Sequence, residues 1–157
     1  MTPQRFTALG LLVVALFFSS QTLSSKALWA AEESLYDRLG GTYPIAVLVD
    51  DFMNRIVENG TLNANPAIEA ARTTVPLPGL KFQVIAFMVQ AAGGPKVYAG
   101  RDMEESHAHL NISARDWDAM LADLRASLYR YNVPDREQKD VIDLVNSIKG
   151  EIITASN

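Results

Sequence analysis

Residues 91–117 read AAGGPKVYAGRDMEESHAHLNISARDW, and the order of features in this stretch decides the fold. A glycine pair followed by Pro95 ends an apolar helical run, because neither residue type continues a helix well. After a loop, residues 103–109 are long enough for only about two helical turns. Ser113 and Asp116 have the spacing of a capping box, which starts another helix. The stretch therefore predicts a short helix, carrying both histidines of the chain, between two long helices.

Long amphipathic helices are predicted on both sides of this stretch. Apolar residues recur there at helical spacing in four runs, which cover residues 44–58, 79–92, 113–131 and 134–152. Residues 61–78 are rich in Asn, Pro and Thr and predict an irregular crossing with one helical turn at 68–72. The apolar and polar alternation of a strand is not found, so the predicted fold class is all-α.

The first 30 residues have the layout of a secretory signal peptide. Arg5 precedes the apolar run 8–18, and small residues at Ala27 and Ala30 offer two cleavage sites. The apolar run is shorter than the roughly 20 residues that a membrane-spanning helix needs. We expect a leader at 1–30, a single domain at 31–157, export to the periplasm, and no stable membrane insertion once the leader is removed.

Charge and cysteine content exclude several classes of function. Removal of residues 1–30 takes away two basic residues and no acidic one, leaving 12 basic against 18 acidic residues. An acidic surface argues against nucleic acid as a partner. The chain has no cysteine, which excludes disulfides, Cys-ligated zinc, iron–sulfur clusters and c-type haem.

The only histidines are His107 and His109, and residues two apart on a helix point to different faces. They cannot clamp a metal together as a pair four residues apart can. No hydrolase elbow, phosphate-binding loop or dinucleotide fingerprint is present. From the residues alone, the commoner interpretation of His107 is a surface or helix-terminal histidine and not a ligand. The apolar face of the second run is most simply a plain core.

The chain resembles the group 1 truncated haemoglobins over essentially all of its predicted domain. The resemblance begins at 34–41, SLYDRLGG, where a short first helix ends at a double glycine. It continues through the second double glycine, the loop motif Tyr98-x-Gly-Arg-x-Met and His107, and then through the last two helices. These elements at their fixed distances are far more specific together than any one alone.

The resemblance implies a two-over-two helical sandwich that holds haem b non-covalently. It makes His107 the proximal iron ligand and gives His109 no bond to the iron. The same resemblance implies apolar walls around the haem, and it makes Tyr98, Arg101 and Lys81 candidates for hydrogen bonds to the haem propionates. The alternative for these three residues is a polar cluster on the surface. The implied haem-contacting residues are Phe52, Met53, Leu80, Lys81, Val84, Phe87, Met88, Tyr98, Arg101, Met103, Ile112, Trp117 and Met120.

The chain departs from the family pattern on the distal side. Met53 stands where a tyrosine donor is usual, Val84 where a glutamine is common, and no aromatic occupies 63–66, where one usually clamps the haem. Gln83 is the only plausible distal donor, beside Leu80 at the distal gate. Bound oxygen gains partial negative charge, so a pocket without donors should retain it weakly.

Three functions remain open at this point. The first is a globin that reversibly binds a diatomic gas, namely oxygen, nitric oxide or carbon monoxide. The second is a degenerate globin that serves as a helical interaction module without haem. The third is a nitric-oxide dioxygenase or peroxidase-like haem enzyme, which requires a reductase that the sequence does not reveal.

Overall fold

The computed structural model describes residues 33–155, and the regular structure in that range is entirely helical. The predicted all-α class is therefore confirmed. The expected leader and its boundary at residue 30 lie outside the described residues and stay predictions. The helices are α1 Leu35–Arg38, α2 Thr42–Glu58, α3 Gly60–Asn63, α4 Pro66–Thr74, α5 Leu77–Ala91, α6 Met103–His107, α7 Ala114–Arg130, α8 Asp135–Ser147 and α9 Lys149–Ile152, with a 3-10 helix at Ala108–Leu110.

Two antiparallel helix pairs form the framework. In the first pair, Lys81 near the start of α5 reaches Asp50 in the middle of α2. The end of α5 lies beside α1, the short helix that directly precedes α2, since the Tyr36 amide donates to Ala92 O at 2.8 Å. In the second pair, α7 and α8 are joined by a tight turn, where the Val133 amide donates to Leu128 O at 3.1 Å. The residues after α9 return to the start of α7, since the Thr154 amide donates to Ile112 O at 3.0 Å.

Both double glycines are required at the junction of α1, α2 and α5, the first by its backbone conformation and the second by the space available. Gly40 and Gly41 have φ of 87° and 86°, the left-handed region that other residues rarely adopt. A Cβ on Gly94 would lie 2.5 Å from Cδ2 of Tyr36, which packs directly over that glycine. The glycine pairs thus allow a tight turn into α2 and a close approach of α1 to the end of α5.

The crossing between α2 and α5 is more helical than expected. Where the sequence predicts one turn at 68–72, the structure has α3 and the nine-residue helix α4. The side-chain oxygens of Asn59 and Asn65 each accept two backbone amides at the N-termini of these helices, and Pro66 suits the first position of α4. The prediction of an irregular crossing was wrong because both Asn residues cap helices.

The core lies between the two pairs. Its least exposed large side chains are Trp117 of α7, at 1% exposure, and Leu128, Val89 and Val141. In the range 33–155, none of the helices has both the length and the apolar character required to cross a bilayer.

Candidate functional site

A short helix, α6, carries the single half-buried histidine. Asp102 caps its first turn by accepting from the Glu105 amide at 2.7 Å, as an aspartate does well at a helix N-terminus. The preceding loop is tied down by Tyr98, whose hydroxyl donates to Arg101 O at 2.6 Å. The 3-10 helix after α6 ends at Asn111, where φ is 47°. These local features place His107 at the end of α6, between a capped start and a sharp turn.

The imidazole of His107 is held in one tautomer. Its Nδ1 lies 2.7 Å from Met103 O, one helical turn earlier. A carbonyl oxygen can only accept, so Nδ1 carries the hydrogen and Nε2 keeps its lone pair. Nε2 makes no hydrogen bond with any of the residues that the structure describes. That nitrogen is thus available as a ligand for a metal ion.

Burial lowers the pKa of His107 below the ordinary value of 6.5. The hydrogen bond to the Met103 carbonyl works in the opposite direction, and the nearby His109 adds a further lowering. Because the net shift is downward, the ring is neutral at neutral pH. A neutral imidazole is the form that binds metals.

A large apolar cavity of about 1050 Å³ opens beside His107. This volume is at the upper end of the ~300–1,000 Å³ that small-molecule and cofactor sites usually have. Side chains from α2 and α5 form one wall, and the beginning of α7 with the ends of α8 and α9 form another. His109 also borders the cavity, but it is exposed and makes no hydrogen bond among residues 33–155.

All but one of the residues expected around the cofactor line this cavity. They are Phe52, Met53, Leu80, Gln83, Val84, Phe87, Met88, Tyr98, Arg101, Met103, His107, Ile112, Trp117 and Met120.

Lys81 is the exception. Its Nζ donates to Asp50 Oδ1 at 2.6 Å and to Asn54 Oδ1 at 2.8 Å, both on α2. Since those two acceptors hold the ammonium against α2, the structure does not bring Lys81 to the cavity. The structure gives no support to the propionate contact expected of Lys81, which stays a prediction.

Tyr98 and Arg101 lie at the cavity but differ in what they can donate. The single hydroxyl hydrogen of Tyr98 is already given to Arg101 O, and its ring packs edge-on against Phe87 with 5.5 Å between centroids. Tyr98 therefore supports the wall and the loop and has no hydrogen left for a propionate. The Arg101 side chain is 61% exposed and lies 3.8 Å from a Glu105 carboxylate oxygen. Arg101 is thus the remaining cation of the expected set at the mouth.

One part of the cavity wall was not predicted from the sequence. Residues 71–77, from the end of α4 to the start of α5, line the cavity without interruption. Arg72 is among them, and its guanidinium donates to Val57 O at 3.0 Å and to Ile56 O at 2.5 Å. The Asn65-Pro66 cap signal at the start of α4 was the sequence feature that could have revealed this helix.

One buried donor at the cavity has no partner. Nε1 of Trp117 makes no hydrogen bond with the described residues, although the side chain is only 1% exposed. An unsatisfied buried donor costs about 1–3 kcal/mol, so such an atom calls for an explanation. An acceptor on a bound group, or a water held with it, would satisfy this N–H.

An imidazole with a free nitrogen beside an apolar cavity, between two antiparallel helix pairs, defines a two-over-two globin. A model of the bacterial-like globin family matches residues 34–154, and the chain belongs to that family. It is 32% identical over 120 residues to the group 1 truncated haemoglobin GlbN of a Nostoc species, covering 76% of this chain and 97% of the relative. The corresponding protein of a Synechocystis species is 30% identical, with 74% and 90% covered.

Solved structures agree on the fold. The ferric truncated haemoglobin of Tetrahymena pyriformis superposes with a TM-score of 0.65 at 21% identity, covering 77% of this chain and 98% of that one. A two-over-two haemoglobin from a Synechococcus species, with covalently attached haem, gives a TM-score of 0.63 at 24% identity over the same shares. The predicted two-over-two sandwich is thereby confirmed.

Membership of this family implies haem, and the residues present fit it. The cavity walls are apolar, as a porphyrin face requires, and a single imidazole offers a nitrogen ligand. The unpartnered Trp117 N–H and the exposed Arg101 would be available for the few polar contacts. This chain is accordingly a haem-binding globin.

Proposed function

We propose that this globin holds haem b non-covalently through His107 Nε2 and binds a diatomic gas reversibly on the opposite face. The observation that carries the proposal is the hydrogen bond from Nδ1 to Met103 O, which leaves Nε2 as the free ring nitrogen at an apolar cavity. When bound, the haem supplies an iron with one coordination position for the gas. The chain supplies the imidazole, the dry walls and the orientation of the ring.

The ligand role of His107 is tested by absorption spectroscopy after reconstitution with haemin. His107→Ala should lose the sharp Soret band of the wild-type protein. His109→Ala is the matched control, because the same change two residues away removes an exposed ring, and it should keep the band. His107→Gly with added imidazole should regain the band, which separates loss of the ligand from failure to fold. A Soret band unchanged in His107→Ala contradicts the proposal.

Non-covalent attachment is supported by the absence of cysteine, which excludes thioether links to the haem. Extraction of the reconstituted protein with acidified organic solvent should move all haem into the organic phase. Haem that stays with the polypeptide would show a covalent bond of another kind, such as the attachment described for the Synechococcus haemoglobin.

We propose that oxygen is retained weakly. Met53 and Val84 line the α2 and α5 walls without a donor, and Gln83, which is exposed, is the side chain that can turn inward. A single hydrogen bond contributes about 0.5–1.5 kcal/mol. Carbon monoxide and nitric oxide depend less on such a donor.

Stopped-flow measurement of oxygen dissociation from the ferrous protein tests this proposal. We expect rapid release, a several-fold increase in Gln83→Leu, and release slowed by about 10-fold in Met53→Tyr, which restores a donor worth roughly 1.4 kcal/mol. Carbon monoxide dissociation from the same variants is the control and should change little. Slow oxygen release that Gln83→Leu leaves unchanged would contradict the proposal.

We further propose that the protein works in the periplasm after removal of a leader at residues 1–30. The support is the basic, apolar and small-residue order of that segment. Expression of the full chain in a bacterium, followed by fractionation and N-terminal sequencing, should find protein beginning near residue 28 or 31 in the periplasmic fraction. Full-length protein confined to the cytoplasm would refute export.

A further inference from the structure

Asn65 joins the helix that lines the cavity to the segment that carries the histidine. It is half-buried and forms the N-cap of α4, where its Oδ1 accepts from the Ala67 amide at 3.0 Å and the Ile68 amide at 3.4 Å. These bonds orient the carboxamide, because only its oxygen can accept from two N–H groups. The amide nitrogen must then point away from α4.

The amide nitrogen of Asn65 meets three acceptors. Nδ2 lies 3.1 Å from Leu110 O, 3.2 Å from Asn111 O and 3.3 Å from Asp116 Oδ2. Two of these acceptors are backbone carbonyls just after His107, and the third is the capping-box carboxylate at the start of α7. One side chain thus bridges α4, the end of the 3-10 helix and α7.

At this end, the histidine segment is attached to the rest of the protein through Asn65 at residues 110 and 111 and through the residues after α9 at Ile112. The 3-10 helix has only three residues and ends at the left-handed residue Asn111. Beyond it, Ile112 is bonded to the residues after α9: its amide donates to Thr154 Oγ1 at 3.1 Å, and its carbonyl accepts from the Thr154 and Ala155 amides at 3.0 Å each. Because α6 has only five residues, its position relative to the cavity depends on these tertiary bonds more than on its own hydrogen bonds.

The other end of α4 forms cavity wall through residues 71–77. Asn65 therefore connects the cavity wall to the histidine segment through one helix of nine residues. A displacement of α4 would be transmitted to Leu110, three residues from His107.

We propose that Asn65 is a positioning residue for His107, holding the Leu110 and Asn111 carbonyls against α4 so that the imidazole keeps its height and tilt toward the iron. The proposal rests on the haem ligation proposed above. Outer partners of a ligand commonly alter metal affinity by about 10–100-fold when removed. Asn65 acts on the imidazole through the backbone.

Asn59 provides a matched control. It is also a helix N-cap, with Oδ1 accepting from the Thr61 and Leu62 amides, and its Nδ2 also donates to a carboxylate, Asp123 Oδ2, at 2.6 Å. It makes no hydrogen bond to residues 107–112. Asn65→Ser and Asn59→Ser each keep a capping oxygen and lose the amide donor. Only the first variant releases the histidine segment.

The test compares these two variants with the wild type. In the ferrous protein, Asn65→Ser should lower and broaden the iron–imidazole stretching band in resonance Raman spectra and speed haem loss to apomyoglobin by about 10-fold. Asn59→Ser should leave both at their wild-type values. An unchanged band in Asn65→Ser, or an equal shift in both variants, overturns the proposal.

A measurement without haem separates this inference from the proposed function. Amide hydrogen exchange at residues 108–112 of the haem-free protein should be faster in Asn65→Ser and unchanged in Asn59→Ser. If the wild type binds no haem, the proposed function fails, and equal exchange in both variants refutes the role of Asn65 on its own. Should the serine variants not fold, Asn65→Asp and Asn59→Asp keep the cap and place a carboxylate beside a carboxylate in both cases.

Discussion

Single atoms decide how closely the helices approach at the entrance to the first antiparallel pair. Gly94 accommodates the ring of Tyr36 where no side chain fits, and Val89 O lies 2.8 Å from the site that a Cβ would occupy. The Tyr36 ring in turn lies against Gly41, and its hydroxyl is 3.0 Å from Thr42 Oγ1 at the start of α2. Replacing one hydrogen of the Gly94 Cα by a methyl group would therefore disturb the packing of three helices.

Gly94→Ala tests this close approach. The added methyl group would overlap both a ring and a backbone carbonyl, so we expect a loss of about 1–3 kcal/mol in the free energy of unfolding. Gly79→Ala is the control, because nothing lies within 4 Å of a Cβ built there and the residue is helical. It should be neutral or stabilising by up to about 1 kcal/mol. Urea denaturation measures both, and equal stability of the two variants would disprove the packing argument.

At the scale of elements, hydrogen bonds to carboxylates determine where α7 begins and how α2 is joined to α7. Asp116 of α7 is 7% exposed, and its Oδ2 accepts from the Ser113 amide at 3.0 Å and the Ser113 hydroxyl at 2.7 Å. Asp51 of α2 similarly accepts from Ser127 of α7 at 2.8 Å. Hydrogen-bonded carboxylates of low exposure thus cap α7 and connect the two helix layers to each other.

Asp116 should make stability depend on pH at the acid end. Burial alone would raise the pKa of this carboxyl, but the hydrogen bonds from Ser113 and Asn65 outweigh it, and the pKa lies below 3.8. A lowered pKa in the folded state means that its contribution is complete above pH 3.8 and is lost as the pH falls through the folded value. The carboxylate of Asp116 is therefore a stabilising group at neutral pH.

Asp116→Asn should cost about 1.5–3 kcal/mol at neutral pH, the usual worth of hydrogen bonds to a charged group. The difference in the free energy of unfolding between wild type and variant should decrease as the pH falls below 3.8. Asp118→Asn is the control on the same helix, because Asp118 is exposed and makes no hydrogen bond among the described residues. Denaturant titrations at several pH values measure this difference, and a difference independent of pH would refute the assignment.

At the scale of the whole molecule, the cavity lowers the stability of the folded state, and bound haem should restore that stability. About 1050 Å³ of apolar space lies between the helix layers, bordered by core side chains such as Trp117 and Met53. Packed interiors lose contacts wherever such space is left unfilled. A ligand that binds only the folded state stabilises that state by mass action.

Haemin should therefore raise the thermal midpoint strongly. At a free concentration about 1,000 times the dissociation constant, the gain is roughly 4 kcal/mol, which corresponds to more than about 10 °C for a domain of this size. Metal-free protoporphyrin fills the same space without iron ligation and should give a smaller rise, one that His107→Ala does not reduce further. Differential scanning calorimetry measures these shifts. An equal rise of the thermal midpoint with haemin and with protoporphyrin in the wild type would show that the imidazole does not contribute.

The prediction of the long helices and of the histidine segment needed no coordinates. Apolar periodicity, the capping box at Ser113 and the glycine pairs are local signals, and α2, α5 and α7 lie where the sequence indicates. The last run, predicted as one helix over 134–152, is divided at residue 148 into α8 and α9. The crossing was less predictable because α4 has only nine residues and is held by Asn65 and Arg72 through tertiary bonds. Local patterns carry little information about such bonds.

The amino-acid sequence by itself determined the all-α class and, through its resemblance to the group 1 truncated haemoglobins, the family, because these depend on residue type and on spacing along one chain. The same resemblance predicted His107 as the iron ligand. Only the tertiary structure decided which way Lys81 points, that residues 71–77 form cavity wall, and that Asn65 reaches the histidine segment. Those outcomes depend on competition among acceptors that are far apart in sequence and are brought together only when the helices pack.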